Sequence, residues 1–135
     1  MPSESRPLSI AIAALGGQGG GVLSDWLVAV AELHGWIVQA TSVPGVAQRT
    51  GTTVYYVEMC APPREPKHRP VLALMPVPGD VDLVVAAELM EAGRAVVRGL
   101  VTPERTTTVA GPPAIATFSD DSAYSVGRSA AISAT

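Results

Sequence analysis

The 135-residue chain has one cysteine, two histidines and few aromatic residues, and each scarcity closes a route to function. A single thiol, Cys60, rules out an internal disulfide framework and cannot supply the thiolate set of an iron–sulfur cluster. So little cysteine fits a reducing compartment, and the expected localisation is cytoplasmic. His34 and His68 stand apart without metal-ligand spacing, so no metal site is expected. Aromatics make up 4% of the chain, too few for a base-stacking surface, and the formal charge of −3 gives no electrostatic case for nucleic acid or an anionic membrane. No apolar run is long enough to span a bilayer. The stretch from Met1 to Pro7 is polar, and the apolar run after it leads straight into glycines, which reads as a strand and not as a signal peptide. Charged residues are also few, at 16% against 47% hydrophobic, a balance that suits a buried parallel sheet or a large partner-facing surface.

What is present reads as an α/β pattern. Ser9 to Leu15 is a continuous apolar run ending in glycines, as expected of a central strand. From Val22 the period changes: Leu23, Trp26, Leu27, Val30, Ala31 and His34 recur at helical spacing, Asp25 and Glu32 can face water, and Gly35 is placed as a stop. Trp36 to Ser42 returns to a strand, so the unit implies a parallel crossover. Pro44-Gly45 marks a turn, Val46 to Gly51 a short helical turn, and Thr52 to Met59 a third strand rich in β-branched and aromatic residues. Ala61 to Pro70 is a proline-rich exposed loop, and Val71 to Met75 a short edge strand. Val81 to Ala87 reads as a buried strand. Glu88 to Leu100 reads as a helix with Leu89, Ala92, Val96 and Leu100 on one face, and Thr106 to Ala110 as a last strand. The predicted fold is an open, mostly parallel sheet with flanking helices, Rossmann-like and three-layered. Its domain spans 8–110, and the Ser/Ala-rich stretch 111–135 is a weakly structured tail or truncated end in which no element is predicted.

The glycines Gly16 to Gly21 lie between the first strand and the first helix. Without Cβ the backbone can turn tightly, and a helix N-terminus offers free N–H groups to an anion. The dinucleotide fingerprint fits only with alanine in place of its first glycine, and no acidic residue ends the second strand, where Ala40, Thr41 and Ser42 stand. A phosphate loop of the Gly-Lys-Ser/Thr type is absent. The loop therefore serves either as an anion cradle or as a tight turn for close contact with another chain. The segment Pro44 to Gly51 follows the carboxyl end of the second strand, the edge where open α/β sheets place ligands. In it Gln48 and Arg49 supply donors, and Arg49 can clamp a carboxylate or phosphate or form an interface ion pair. Asp80, Asp82, Glu88 and Glu91 read as caps and solvated faces, Ser24 as an early helical residue, and Trp26 and Trp36 as core. Cys60 has no histidine partner, and no catalytic residue is assigned.

Two segments, Ala14-Leu-Gly-Gly-Gln-Gly-Gly-Gly-Val-Leu23 and Thr41-Ser-Val-Pro-Gly-Val-Ala-Gln-Arg-Thr-Gly-Thr-Thr53, together resemble the gamma-type domain of 2-oxoacid:ferredoxin oxidoreductases. The nearest resemblance is to the beta subunit of indolepyruvate oxidoreductase. Asp25-Trp26, Tyr55 to Met59 and Thr102-Pro-Glu-Arg-Thr106 fit the same pattern, and the resemblance runs from about Ile10 to Ala110. It implies a part in the CoA-dependent oxidative decarboxylation of an aryl-pyruvate, with electrons passing to ferredoxin. Thiamine diphosphate, magnesium and iron–sulfur clusters are then expected on the partner subunit, CoA as a co-substrate, and no cofactor bound by this chain alone. Loop roles transfer to Gly16, Gly17, Gln18 and Gly19 as a cofactor-binding loop, and to Pro44, Gly45, Gln48 and Arg49 as substrate or interface residues. Two other readings stay open: a freestanding nucleotide- or CoA-binding regulatory module, and a truncated, non-functional homologue.

Overall fold

A computed structural model describes residues 6–44, 52–63, 70–111 and 130–132. Along the chain lie β1 (Leu8–Leu15), α1 (Gly20–Leu33), β2 (Ile37–Pro44), β3 (Thr52–Cys60), β4 (Leu83–Ala86), α2 (Leu89–Val97), β5 (Thr107–Ala110) and β6 (Ala130–Ile132). The strands form one open sheet in the order β2-β3-β1-β4-β5-β6. β1 pairs in parallel with β4, and β4 with β5, while β3 lies antiparallel between β1 and β2 and β6 antiparallel beside β5. Thus β1, β2, β4 and β5 all point the same way, as the sequence predicts. The crossover from β1 through α1 does lead to a strand of the same direction, but β3 is inserted between the two.

Alternation along β1 builds the three layers, because successive side chains in a strand face opposite sides of the sheet. Ile10 and Ile12 pack with Val57, Met59 and Ala31, together with Leu23 and Leu27 of α1. Ala11 on the other side packs with Val54, Tyr56, Val84 and Ala95 of α2. The helices therefore cover opposite faces.

α2 is turned relative to the expectation, and α1 keeps Leu23, Leu27 and Ala31 on the sheet as expected but not Trp26 and Val30. In α1 the buried residues are Gly20, Ser24 and Ala31, whereas Trp26 is 66% exposed and Val30 also faces water. The helix is apolar on nearly every side, so periodicity alone allows more than one inward face. The face with small residues lets the helix axis approach the sheet closely. Trp26 and Trp36 are consequently exposed and not core. In α2 the buried face is Glu91, Ala92 and Ala95, while Leu89 and Val96 are exposed.

Two further differences concern strands. Residues 71–75 form no strand. Around Ala73 and Leu74 the chain is a strap held by side chains of β2 and β3: Glu58 accepts the Ala73 amide at 2.6 Å, Gln39 donates to the Ala73 carbonyl at 3.4 Å and Thr41 to the Leu74 carbonyl at 2.6 Å. Backbone groups satisfied in this way need no ladder. Within 111–135, where no element is predicted, Ala130–Ile132 pairs with β5 through Ala110↔Ala130. Two of its three residues are alanines of low β-propensity, set in a Ser/Ala-rich stretch, which hides that strand.

Candidate functional site

Register places the relevant ends on one rim. Ala14 of β1 pairs with Thr53 of β3, and Thr53 pairs with Pro44 of β2. Ala13 pairs with Ala86, and Ala86 with Ala110. The carboxyl ends of four parallel-pointing strands and the start of β3 therefore share an edge. At that edge Gly111 passes so close to β4 that a Cβ on it would meet the Ala87 carbonyl oxygen at 2.2 Å.

The glycine loop leaves β1 at this rim. Gly17 and Gly19 have φ of 82° and 80°, a left-handed conformation that side chains disfavour. Gln18 closes the loop on itself. Its Oε1 accepts the Leu15 amide at 2.7 Å, and its own amide donates to the Leu15 carbonyl at 3.2 Å. Gly19 is the N-cap of α1 and supplies no side-chain cap, so the first N–H groups of the helix keep their positive end toward the exposed loop. Gly20 meets the floor: the Tyr55 ring and Ala14 leave no room for a side chain there. Gly16 is different. It has no positive φ, and a Cβ on it would touch nothing within 4 Å among the described residues, so neither the turn nor the packing of those residues requires glycine at that position.

The second segment flanks the same loop. Pro44 is the exposed last residue of β2, and Thr52 and Thr53 begin β3 beside it. Gly45, Gln48 and Arg49 lie outside the described residues. The stretch that carries them leaves from and returns to the rim that bears Gly16 to Gly19.

A cluster that sequence reasoning missed supports this rim. Thr52 is buried, and its hydroxyl donates to Glu91 Oε1 at 3.1 Å and accepts from Arg94 Nη1 at 3.2 Å. Arg94 also forms an ion pair with Glu91. Glu91, expected on a solvated face, is 1% exposed. The i,i+3 spacing of Glu91 and Arg94 is visible in the sequence, but only the inward rotation of α2 shows that the pair is buried. Glu88, at the N-cap of α2, is also buried and makes no side-chain cap. Asp80 and Asp82 occupy the opposite rim, where they pair with Arg6 and Arg105; Asp82 also accepts the Ser9 amide at 2.9 Å and the Ser9 hydroxyl at 3.0 Å. Asp82 is half-buried in this network, whereas Asp80 pairs with the arginines while still facing water, its side chain 54% exposed.

Two groups have displaced proton affinities. Burial, then the hydrogen bond to Glu58 and its charge, push the Tyr56 hydroxyl well above the ordinary tyrosine range. Burial, followed by the negative charge of Glu58, raises the Cys60 thiol, which suppresses the reactive thiolate. Among the described residues no three His, Cys, Asp or Glu side chains converge as a metal-binding set. A lone buried thiol does not fit an iron–sulfur cluster. No helix among the described residues is long and apolar enough to cross a membrane. The arrangement offers a backbone cradle and an interface rim, with no acid/base pair and no activated nucleophile among the described residues.

Comparison with known proteins agrees with this geometry. The crystal structure of the pyruvate oxidoreductase subunit PORC of Thermotoga maritima superposes with a TM-score of 0.50 at 24% sequence identity, covering 71% of this chain and 46% of that one. This shows a shared fold, and the chain matches less than half the length of that subunit. No curated protein matches the chain significantly. The profile of the family described as pyruvate ferredoxin/flavodoxin oxidoreductase matches residues 9–120, which include the glycine loop, both flanks of the second segment and the whole rim. The chain therefore belongs to the pyruvate ferredoxin/flavodoxin oxidoreductase family.

Proposed function

We propose that this chain is the gamma-type subunit or domain of a 2-oxoacid:ferredoxin oxidoreductase acting on aryl-pyruvates such as indolepyruvate. The observation that carries the reading is the convergence at one rim of the Gln18-closed glycine loop and both flanks of the Pro44–Arg49 segment. The Thermotoga maritima subunit of the same fold is named for a pyruvate oxidoreductase, which supports the reaction class. The family match supports it too. The aryl preference rests on the segments quoted above from the sequence.

In such an enzyme a 2-oxoacid loses its carboxylate as carbon dioxide. Two electrons pass one at a time to ferredoxin, and the acyl group is captured by the thiol of CoA, which releases a proton. Thiamine diphosphate, magnesium and iron–sulfur clusters on the partner subunit would supply the carbanion and electron chemistry. This chain would contribute a rigid rim. Gln18 fixes the loop, and Gly16, which no contact among the described residues requires to be glycine, leaves room for a ligand or partner backbone to approach. Exposed N–H groups at the start of α1 favour an anionic group such as a CoA phosphate.

The test is anaerobic co-expression with a thiamine- and cluster-bearing subunit, followed by ferredoxin reduction assays with indolepyruvate, phenylpyruvate and pyruvate. The expected result is a stable complex whose CoA-dependent activity needs this chain and prefers indolepyruvate. A preference for pyruvate would correct the substrate and leave the subunit role. Absence of any complex would remove the subunit role.

A further inference from the structure

The outer face of α2 carries a shallow groove of about 360 Å³ lined by Leu89, Met90, Gly93, Arg94, Val97 and Arg98. Its apolar residues are held out in water: Met90 is 63% and Val97 89% exposed. Gly93 forms a notch in its floor, where a Cβ would meet nothing within 4 Å. That glycine costs helix stability, and no contact among the described residues repays it. The charges around the groove share one sign. Arg98 and Arg94 flank it, Arg94 with one guanidinium nitrogen turned inward to the buried Glu91, no carboxylate among the described residues lines it, and Glu88 is buried. An apolar groove edged by arginines matches an apolar segment edged by carboxylates, because arginine forks bind carboxylates in pairs.

We propose that this groove is the docking site for an apolar, carboxylate-flanked segment of the thiamine-bearing partner subunit. The proposal rests on the function proposed above. A second copy of this chain is the less favoured occupant. The apolar stripe of α1 is also edged by acids, Asp25 and Glu32, but it lies on the opposite face of the sheet. An α1-to-α2 contact between copies would be head-to-tail and would not close into a two-fold pair. Docking at α2 also reaches the candidate rim. Arg94, 35% exposed at its side chain, bonds at its inner end to Thr52, the first residue of β3. A partner carboxylate on the remaining Arg94 donors thus lies one side chain from Thr52, where β3 begins at the rim.

The experiment uses the full chain and the thiamine-bearing subunit, with assembly followed by sedimentation and native mass spectrometry at two salt concentrations. Val97→Glu and Arg98→Glu lie on the exposed surface, so their folding is confirmed by circular dichroism. Each is expected to weaken assembly at least tenfold, and Arg98→Glu to flatten its salt dependence, while Arg98→Lys retains part of the affinity. Glu104→Lys, an exposed charge change outside the groove, is expected to leave assembly unchanged. Wild-type affinity in both groove variants would overturn the proposal while leaving the subunit role intact. Failure of the wild-type chain to assemble would remove the role on which the proposal rests. Two other results would also overturn it: self-association of this chain that Val97→Glu dissolves, or CoA binding by the isolated chain that Arg98→Glu abolishes without affecting assembly.

Discussion

The Tyr55 ring fills the space where a side chain at Gly20 would stand: a Cβ there would come within 2.7 Å of Tyr55 Cε2 and 2.8 Å of the Ala14 Cβ. The start of α1 is thereby pressed onto the sheet. Gly20→Ala forces either the ring or the helix to shift, and overpacking of this kind costs about 1–3 kcal/mol. The next residue makes the comparison clean. A Cβ on Gly21 would sit 3.4 Å from Tyr55, an ordinary contact at the edge of tightness, and alanine there gains helix propensity of up to ~1 kcal/mol. Gly20→Ala is expected to lower the melting temperature by several degrees, and Gly21→Ala to leave it unchanged or raise it. Equal losses in thermal unfolding would show that Tyr55 does not set the approach of α1.

Gln18 makes a different kind of contact. Both hydrogen bonds to Leu15 lie in an exposed loop, where water can replace them. Gln18→Ala should therefore cost little global stability, on the order of 0.5 kcal/mol. Its effect belongs in local opening. The Leu15 amide is expected to exchange with solvent faster by several-fold while the amides of β1's centre keep their protection. Unchanged exchange at Leu15 would mean that Gln18 does not close the loop.

How far the sequence reaches is clear from these two residues. Most strand runs and the glycine loop follow from local pattern, though not the absence of a strand at 71–75 or the presence of β6, and Gly17 and Gly19 do adopt the left-handed backbone that a tight turn calls for. The helix faces follow only in part: Leu23, Leu27 and Ala31 meet the sheet as expected, but α1 is apolar on most sides, and what the sheet can accommodate leaves Trp26 and Val30 outside. Tertiary packing also decides that Glu91 is buried, that Glu58 holds a strap and that β3 enters antiparallel. The position of the rim is legible because strand ends are marked by glycine and proline. Its support by Thr52, Glu91 and Arg94 is not, since no spacing links residues from β3 and α2.

Arg94 should carry stability as well as charge. Glu91 is almost fully enclosed, and Arg94 Nη1 and the Thr52 hydroxyl are its partners among the described residues. Arg94→Met leaves that carboxylate with a single hydroxyl. Loss of one member of a fully buried pair costs about 3–5 kcal/mol, and the partial exposure of Arg94 reduces this to about 1–3 kcal/mol. Glu91→Gln keeps an acceptor for Thr52 and should cost less. Urea unfolding of the two variants is expected to rank Arg94→Met as the less stable. The reverse order would show that solvent, not Arg94, compensates the carboxylate.

Alkaline stability follows from Tyr56 and Cys60. Tyr56 is buried and donates to Glu58 Oε1 at 2.5 Å, and burial and the carboxylate both hold its proton. The Cys60 thiol is raised by the same causes. For both groups the folded chain binds the proton more tightly than the unfolded chain does. Their stabilising contribution is therefore complete below the unfolded values, about 8.5 for cysteine and about 10 for tyrosine, and is lost as pH rises above them. Stability should begin to fall above about pH 8.5 and fall more steeply above about pH 10. Each group can contribute at most about 1.4 kcal/mol per pH unit. Cys60→Ala is expected to flatten the first part of this slope. Tyr56→Phe should flatten the second part, while lowering stability at pH 7 because Glu58 loses a buried donor. Urea midpoints at pH 7, 9 and 10.5 check both. A Tyr56→Phe variant that kept the full wild-type slope above pH 10 would place the alkaline sensitivity on another group.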